Sequence, residues 1–320
     1  MTETLDNYRD TLAEIGRLAE QAVNGMVDVP DTKFDHATEA QSCTVRSLPP
    51  RLRQKAAEVA VTINPLNAPV LGAMMGAAEI PLEPMHLTLL TSKYWGSQPR
   101  QLTVSFMEST QADLKARILQ NMNAWSARIG ISFVLINGTG NVRISRGGGG
   151  YWSYLGTDIR LIPTNRPTMN LQGFTMNTAE SEYRRVVRHE TGHTLGFPHE
   201  HMRRELVARI DPQKAYDYFL RTQGWSKSVV DQQVLTPLDQ ATIIGTPADQ
   251  TSIMCYQLPG SITKNGQPIT GGTDINATDY AFAARIYPRP ALAEAAARSI
   301  EVALASDWDE SEDVLEPDQT

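Results

Sequence analysis

With 320 residues, of which 41% are hydrophobic and 20% charged, the chain can bury a sizeable core without covalent staples. Its only cysteines, Cys43 and Cys255, exclude a multi-disulfide framework and read by default as isolated thiols. The net charge of −7 is matched by seven acids in residues 307–320, so the rest is near neutral and offers no basic face for nucleic acid.

The N-terminal text, MTETLDNYRDTLAEIGRLAEQAV, is polar, with Leu12, Ile15 and Leu18 spaced for a helix face. It has neither the basic start nor the apolar centre of a secretory signal. The longest apolar run, Val70 to Ala78, is too short to span a bilayer. The expectation is a chain with no membrane partner, cytoplasmic as synthesised or exported by a non-classical route. Residues 51–61 predict a second helix within an irregular, proline-punctuated region, and residues 1–93 read as an N-terminal accessory or pro-segment.

A different pattern begins near Tyr94. Leu102, Val104 and Phe106 alternate as in a strand. Thr110 and Asp113 predict a helix cap, followed by a stripe of Leu114, Ile118, Met122, Trp125 and Ile129 that Gly130 ends. Residues 131–137, 141–145 and 158–162 read as further strands, and Gly147 to Gly150 as a break. Strands alternating with a long helix predict an α+β fold with a twisted mixed sheet. Asn177 and Glu180 have capping-box spacing at the head of a helix that runs to Leu195 and Gly196. Helices are expected near 212–223 and 277–286, and residues 291–320 read as a helix leading into a disordered acidic tail.

The chemistry is concentrated in HETGHTLGFPH, residues 189–199. His189 and His193, four apart on a helix, share one face. Zinc accepts nitrogen ligands tetrahedrally, and three protein ligands leave one position open. Gly196 can take positive φ, end the helix and turn His199 back toward the same ion. Glu190, beside a ligand but not one itself, is placed to take a proton from metal-activated water and return it to the leaving amine. The expected cofactor is therefore Zn2+, and the expected partner a protein or peptide substrate.

HExxHxxGxxH resembles the signature of the metzincin metallopeptidases, and GFPHEHMR (196–203), with Glu200 after the third histidine, is similar to the astacin family. The resemblance runs from about 94 to 288 and includes TVSF, the NAW of the long helix, GGGYWSYLG and NATDYAFAARIYP. It implies a metzincin-like zinc peptidase with a long active-site helix and a smaller C-terminal subdomain, spanning 94–290. It further implies that SIMCY (252–256) is the methionine turn, with Met254 as an apolar floor and Tyr256 able to reach the metal and stabilise the transition state. Glu200 is read as a structural ion pair. The usual astacin disulfides and secretion signal are not supported, so the fitting description is a microbial astacin-like or matrix-metalloprotease-like domain.

His201 is expected at the surface or behind the ligands. Cys43 is read as a plain unpaired cysteine, because QSCTVRSLPP does not match the usual latency sequence; the sharper alternative is a thiolate filling the open metal position. PTMNLQ (167–172) is the expected edge for strand addition by an extended substrate. Two other functional classes are considered: a zinc protein without catalysis, which has no need of Glu190, and a peptidase dedicated to one partner.

Overall fold

The computed structural model describes residues 43–68, 91–238 and 248–289. The expected N-terminal helix around Leu12 and the tail beyond 290 lie outside them. Among the described residues no helix is long and apolar enough to cross a membrane.

The sheet has six strands: β1 (Cys43–Arg46), β2 (Arg100–Phe106), β3 (Ile131–Leu135), β4 (Val142–Ser145), β5 (Tyr151–Tyr154) and β6 (Met169–Leu171). Their order is β1-β5-β6-β4-β2-β3. The sheet is mixed: β5 runs antiparallel to β6, and the other neighbours are parallel. Leu102, Val104, Ile131, Phe133, Val142 and Ile144 turn inward to the main core, as alternation requires of strands with one face covered by helices.

Helix α1 (Pro50–Ile63) opens with proline at its first position, where no amide bond is lost, and buries Ala56 and Ala60. Helix α2 (Ala112–Met122) buries the expected stripe through Trp125 and Ile129. Its ends differ from the sequence expectation. The cap position is Gln111, without a side-chain bond, while the Thr110 hydroxyl donates to the Glu108 carbonyl at 3.0 Å. The helix also stops well before Gly130, because the Asn123 side-chain amide docks on β3. It donates to the Phe133 carbonyl and accepts from the Phe133 amide, each at 2.9 Å.

Residues 158–162 are not a strand. Gly156–Leu161 form a 3-10 turn, in which Asp158 pairs with Lys93 at 3.3 Å and Ile159 is the one apolar side chain inserted fully into the core. The strands β1 and β5 have no counterpart among the expected strands, and with β6 they are only three or four residues long. PTMNLQ contains β6, which lies between β5 and β4 and is no edge. The glycine run is held by Asn170, whose side-chain amide donates to the carbonyls of Gly147 at 3.1 Å and Gly150 at 2.6 Å.

Helix α3 comprises a turn at Glu180–Glu182, a π-helical turn at Tyr183–Val187 and α-helical Arg188–Thr194. Its cap residue is Ala179, not Asn177. At its far end Trp95 Nε1 donates to the Thr194 carbonyl at 2.8 Å and the Tyr287 hydroxyl to the Leu195 carbonyl, so two carbonyls left bare by the helix end find donors.

Helices α4 (Pro212–Gln223), α5 (Lys227–Val230), with a π turn at Asp231–Leu235, and α6 (Ala277–Ile286) follow. Phe219, Val230, Val234, Leu258, Ile262 and Ile269 form a second, smaller core that also takes in Cys43, Cys255 and Tyr256.

Candidate metal centre and active site

His189 and His193 project from α3 and are buried. After Thr194 the helix ends. Gly196 takes φ +96°, a conformation that side chains resist. The Gly196 amide donates to the His193 carbonyl at 2.8 Å and the Phe197 amide to the Gly192 carbonyl at 3.0 Å. This reversal brings His199 back onto the helix face. The ring centroid of His199 lies 4.5 Å from that of His193 and 5.3 Å from that of His189.

Backbone carbonyls fix two of the rings. His189 Nδ1–H donates to Ile253 O at 2.6 Å and His193 Nδ1–H to Phe197 O at 2.7 Å. A carbonyl can only accept, so both Nε2 atoms are left with a bare lone pair. The Nε2 atoms of His193 and His199 face each other at 3.0 Å, close to the ~3.3 Å separating two nitrogens bound tetrahedrally at ~2.0 Å. His189 Nε2 is buried with no partner. Converging, buried lone pairs without a protein partner are costly unless a cation sits among them. The donor set therefore fits zinc. Burial holds all three imidazoles below their ordinary range, His189 at about 4, which keeps them neutral as ligands must be.

A fourth donor joins them. Cys43 Sγ belongs to the same group, whose ligand atoms all lie within 4.8 Å of one another. Cys43 is unpaired, as expected, and its thiol stands beside the three imidazoles, where the alternative reading as a metal ligand requires it. The surrounding text gives no sign of it, because what carries Cys43 to the site is the pairing of β1 with β5, in the register Cys43 opposite Tyr151.

The family model for Astacin, a peptidase family, matches residues 89–278, well over half of the chain. The chain belongs to the astacin family. It is a zinc-dependent endopeptidase, and protein or peptide is its substrate class. A solved structure of myroilysin is 32% identical, with a TM-score of 0.58, covering 62% of this chain and 96% of that one. A crystal structure of myroilysin is 31% identical over 62% of this chain and 87% of that one, TM-score 0.49. High choriolytic enzyme 1, a hatching-enzyme zinc-protease from Oryzias latipes, is 20% identical over 59% of this chain and 90% of that one, TM-score 0.41. No curated protein sequence matches.

Around this astacin centre lie the other residues singled out in the sequence. Glu190 is fully buried, and neither of its oxygens has a hydrogen-bond partner. Burial pushes its carboxyl up to about 8, opposed by Cys43 and Arg185. The Tyr256 hydroxyl is likewise buried and unpartnered. Met254 lies directly beneath α3: a Cβ added at Gly192 would stand 2.3 Å from its Sδ. Glu200 Oε1 accepts from the Asp249 amide at 3.1 Å and lies 3.5 Å from Arg203 Nε; burial raises its carboxyl to about 7. Cys255 is buried and unpaired.

Three further residues support the site without a motif that assigns them to it. Asp279, in the capping box of α6, accepts from Ser252 Oγ at 2.6 Å and from the Ile253 amide at 2.9 Å, and so fixes the methionine turn. The spacing of Asn276 and Asp279 is the signal available for it. His201 is fully buried rather than at the surface. Its ring stacks on Tyr256 at 4.2 Å and 15°, and Nδ1 accepts the Tyr256 amide at 3.4 Å. Nε2–H donates to the carbonyl of Gln233 at 2.9 Å, a residue with no signal in the sequence.

Proposed function

We propose that His189, His193 and His199 hold the zinc through their Nε2 atoms, that Glu190 and Tyr256 carry the proton transfer and charge stabilisation of peptide hydrolysis, and that Cys43 keeps the chain latent. The observation that carries this reading is the buried cluster of three imidazoles and one thiol, the one such group among the described residues. A zinc ion held there would acidify water and polarise the scissile carbonyl.

The protein's own groups supply the rest. Glu190, fixed one residue from a ligand and free of hydrogen bonds, takes the proton of the attacking water and delivers it to the leaving amine. The Tyr256 hydroxyl, with no competing partner, is free to donate to the oxygen on which negative charge develops.

Latency follows from the same geometry. A thiolate among three imidazoles completes a tetrahedral set and leaves no open position. Burial and the nearby Glu190 hold the Cys43 thiol well above its ordinary range, and a divalent cation is the partner that would overcome this. β1 also covers the edge of β5, the place where an extended peptide would add. Removal of the segment through β1 therefore opens the metal position and the strand edge together. α1 stays, because Ala56 belongs to the main core. The pro-segment boundary then falls between β1 and α1, inside the 1–93 region.

The test compares casein hydrolysis by the zinc-loaded full chain before and after limited proteolysis, with and without chelator. Processing should raise activity at least a hundredfold, and chelation should abolish it. Cys43→Ala should raise the activity of the unprocessed chain. A full chain as active as its processed product, and indifferent to Cys43→Ala, would remove the latency reading.

A further inference from the structure

Within β1, both main-chain polar groups of Val45 meet one side chain. The Val45 amide donates to Gln233 Oε1 at 3.0 Å, and Gln233 Nε2 donates to the Val45 carbonyl at 3.2 Å. The strand is thus held on two sides, by β5 along one edge and by a side-chain amide along the other. Gln233 is itself anchored. It is buried in the π turn after α5, its carbonyl takes the His201 proton, and Gln232 beside it donates to Ser47 Oγ at 3.0 Å. Asn123 uses the same two-bond grip on Phe133.

We infer that Gln233 is the lower-rim clamp for peptide backbone, first for β1 and then, once that strand has left, for one residue of the substrate in the place of Val45. The inference rests on the peptidase reading above. A peptide laid along β5 gives only alternate residues to that edge, and the residues between them face the opposite rim and still need partners. Gln233 supplies one donor and one acceptor there. With β1 gone, the amide loses both of its protein partners and keeps its place in the π turn, so another extended backbone can take up the same two bonds. A half-turn about its Cγ–Cδ bond exchanges donor and acceptor, so either chain direction is accepted. Because no side chain is read, the clamp adds affinity without sequence preference. Its reach is defined by β1: Val45 lies two residues from the group at the metal centre.

Two measurements test the clamp, using Gln233→Met, which keeps length and packing but makes no such bonds. In the full chain, hydrogen exchange at the Val45 amide should speed up about tenfold. In the processed enzyme, KM should rise about tenfold with kcat within about twofold. A wild-type peptide series with one backbone N–H at a time replaced by an ester oxygen should show a matching KM rise at one position two residues from the scissile bond, and Gln233→Met should not sense that ester. An unchanged KM in the variant, with the ester still felt, overturns the inference. Should Gln233→Met fail to fold, the wild-type series decides alone: no sensitive position at that distance overturns it. If processed wild-type protein cleaves nothing, the peptidase reading fails, while exchange at Val45 still reports whether Gln233 holds β1.

Discussion

The two lobes around the histidines are built differently. The upper one is a hydrogen-bonded sheet under α2 and α3, with a large apolar core that includes Trp125, Ile118, Met122, Tyr183 and Phe174. The lower one has a smaller core and little regular structure near the site. There the chain is placed by side chains bonded to backbone: Asp279 to Ile253, His201 to Tyr256 and Gln233 to Val45. Ladders should make the half that carries His189 and His193 the more tolerant of single changes, because each strand residue is one rung among many. In the lower half, one side chain can decide where a whole turn lies.

The largest effect separates chemistry from architecture. Glu190→Gln removes the proton acceptor but little volume. It should lower kcat of the processed enzyme by ~10³-fold or more, with zinc content and circular dichroism unchanged; full activity would break the proposed mechanism. Next comes the contrast itself. Asp279→Ala strips partners from Ser252 Oγ and from the Ile253 and Asn276 amides. It should cost ~2–4 kcal/mol in urea unfolding and also weaken zinc affinity, since the Ile253 carbonyl orients His189. Where the lobes touch, Gly192→Ala drives a methyl into Met254 Sδ. About 1–3 kcal/mol should be lost, and part of it should be recovered in a double variant with Met254→Ala; strict additivity would show that the two sites do not press on each other. The smallest effect is expected in the upper lobe. Thr110→Ala should change stability by no more than ~0.5 kcal/mol, because Thr110 does not cap α2.

This contrast also explains what the sequence discloses. The helix of His189 and His193, the glycine reversal and the stripe from Leu114 to Ile129 are local patterns, and periodicity or spacing exposes them. Strands β1, β5 and β6 are too short to show alternation, and they exist because partners far along the chain satisfy their backbone. The ends of α2 and α3 depart from the sequence expectation for a related reason. Thr110 and Asn177 have the chemistry of caps, but Asn123 and the Thr175–Thr178 turn settle those termini through contacts that spacing cannot display. His201 and Gln233 carry no motif at all; their importance lies in what folding sets beside them.

One consequence of the strand order concerns the life of the processed enzyme. β1 is the outermost strand, and while it stays in place β5 is sealed. Were it cut away as proposed, a bare row of amides and carbonyls would face solvent beside a live hydrolytic centre. Such a margin recruits any extended chain, sibling molecules included. Self-digestion and clumping should therefore accompany activation, rise with enzyme concentration and be suppressed by a tight peptide inhibitor lying along β5.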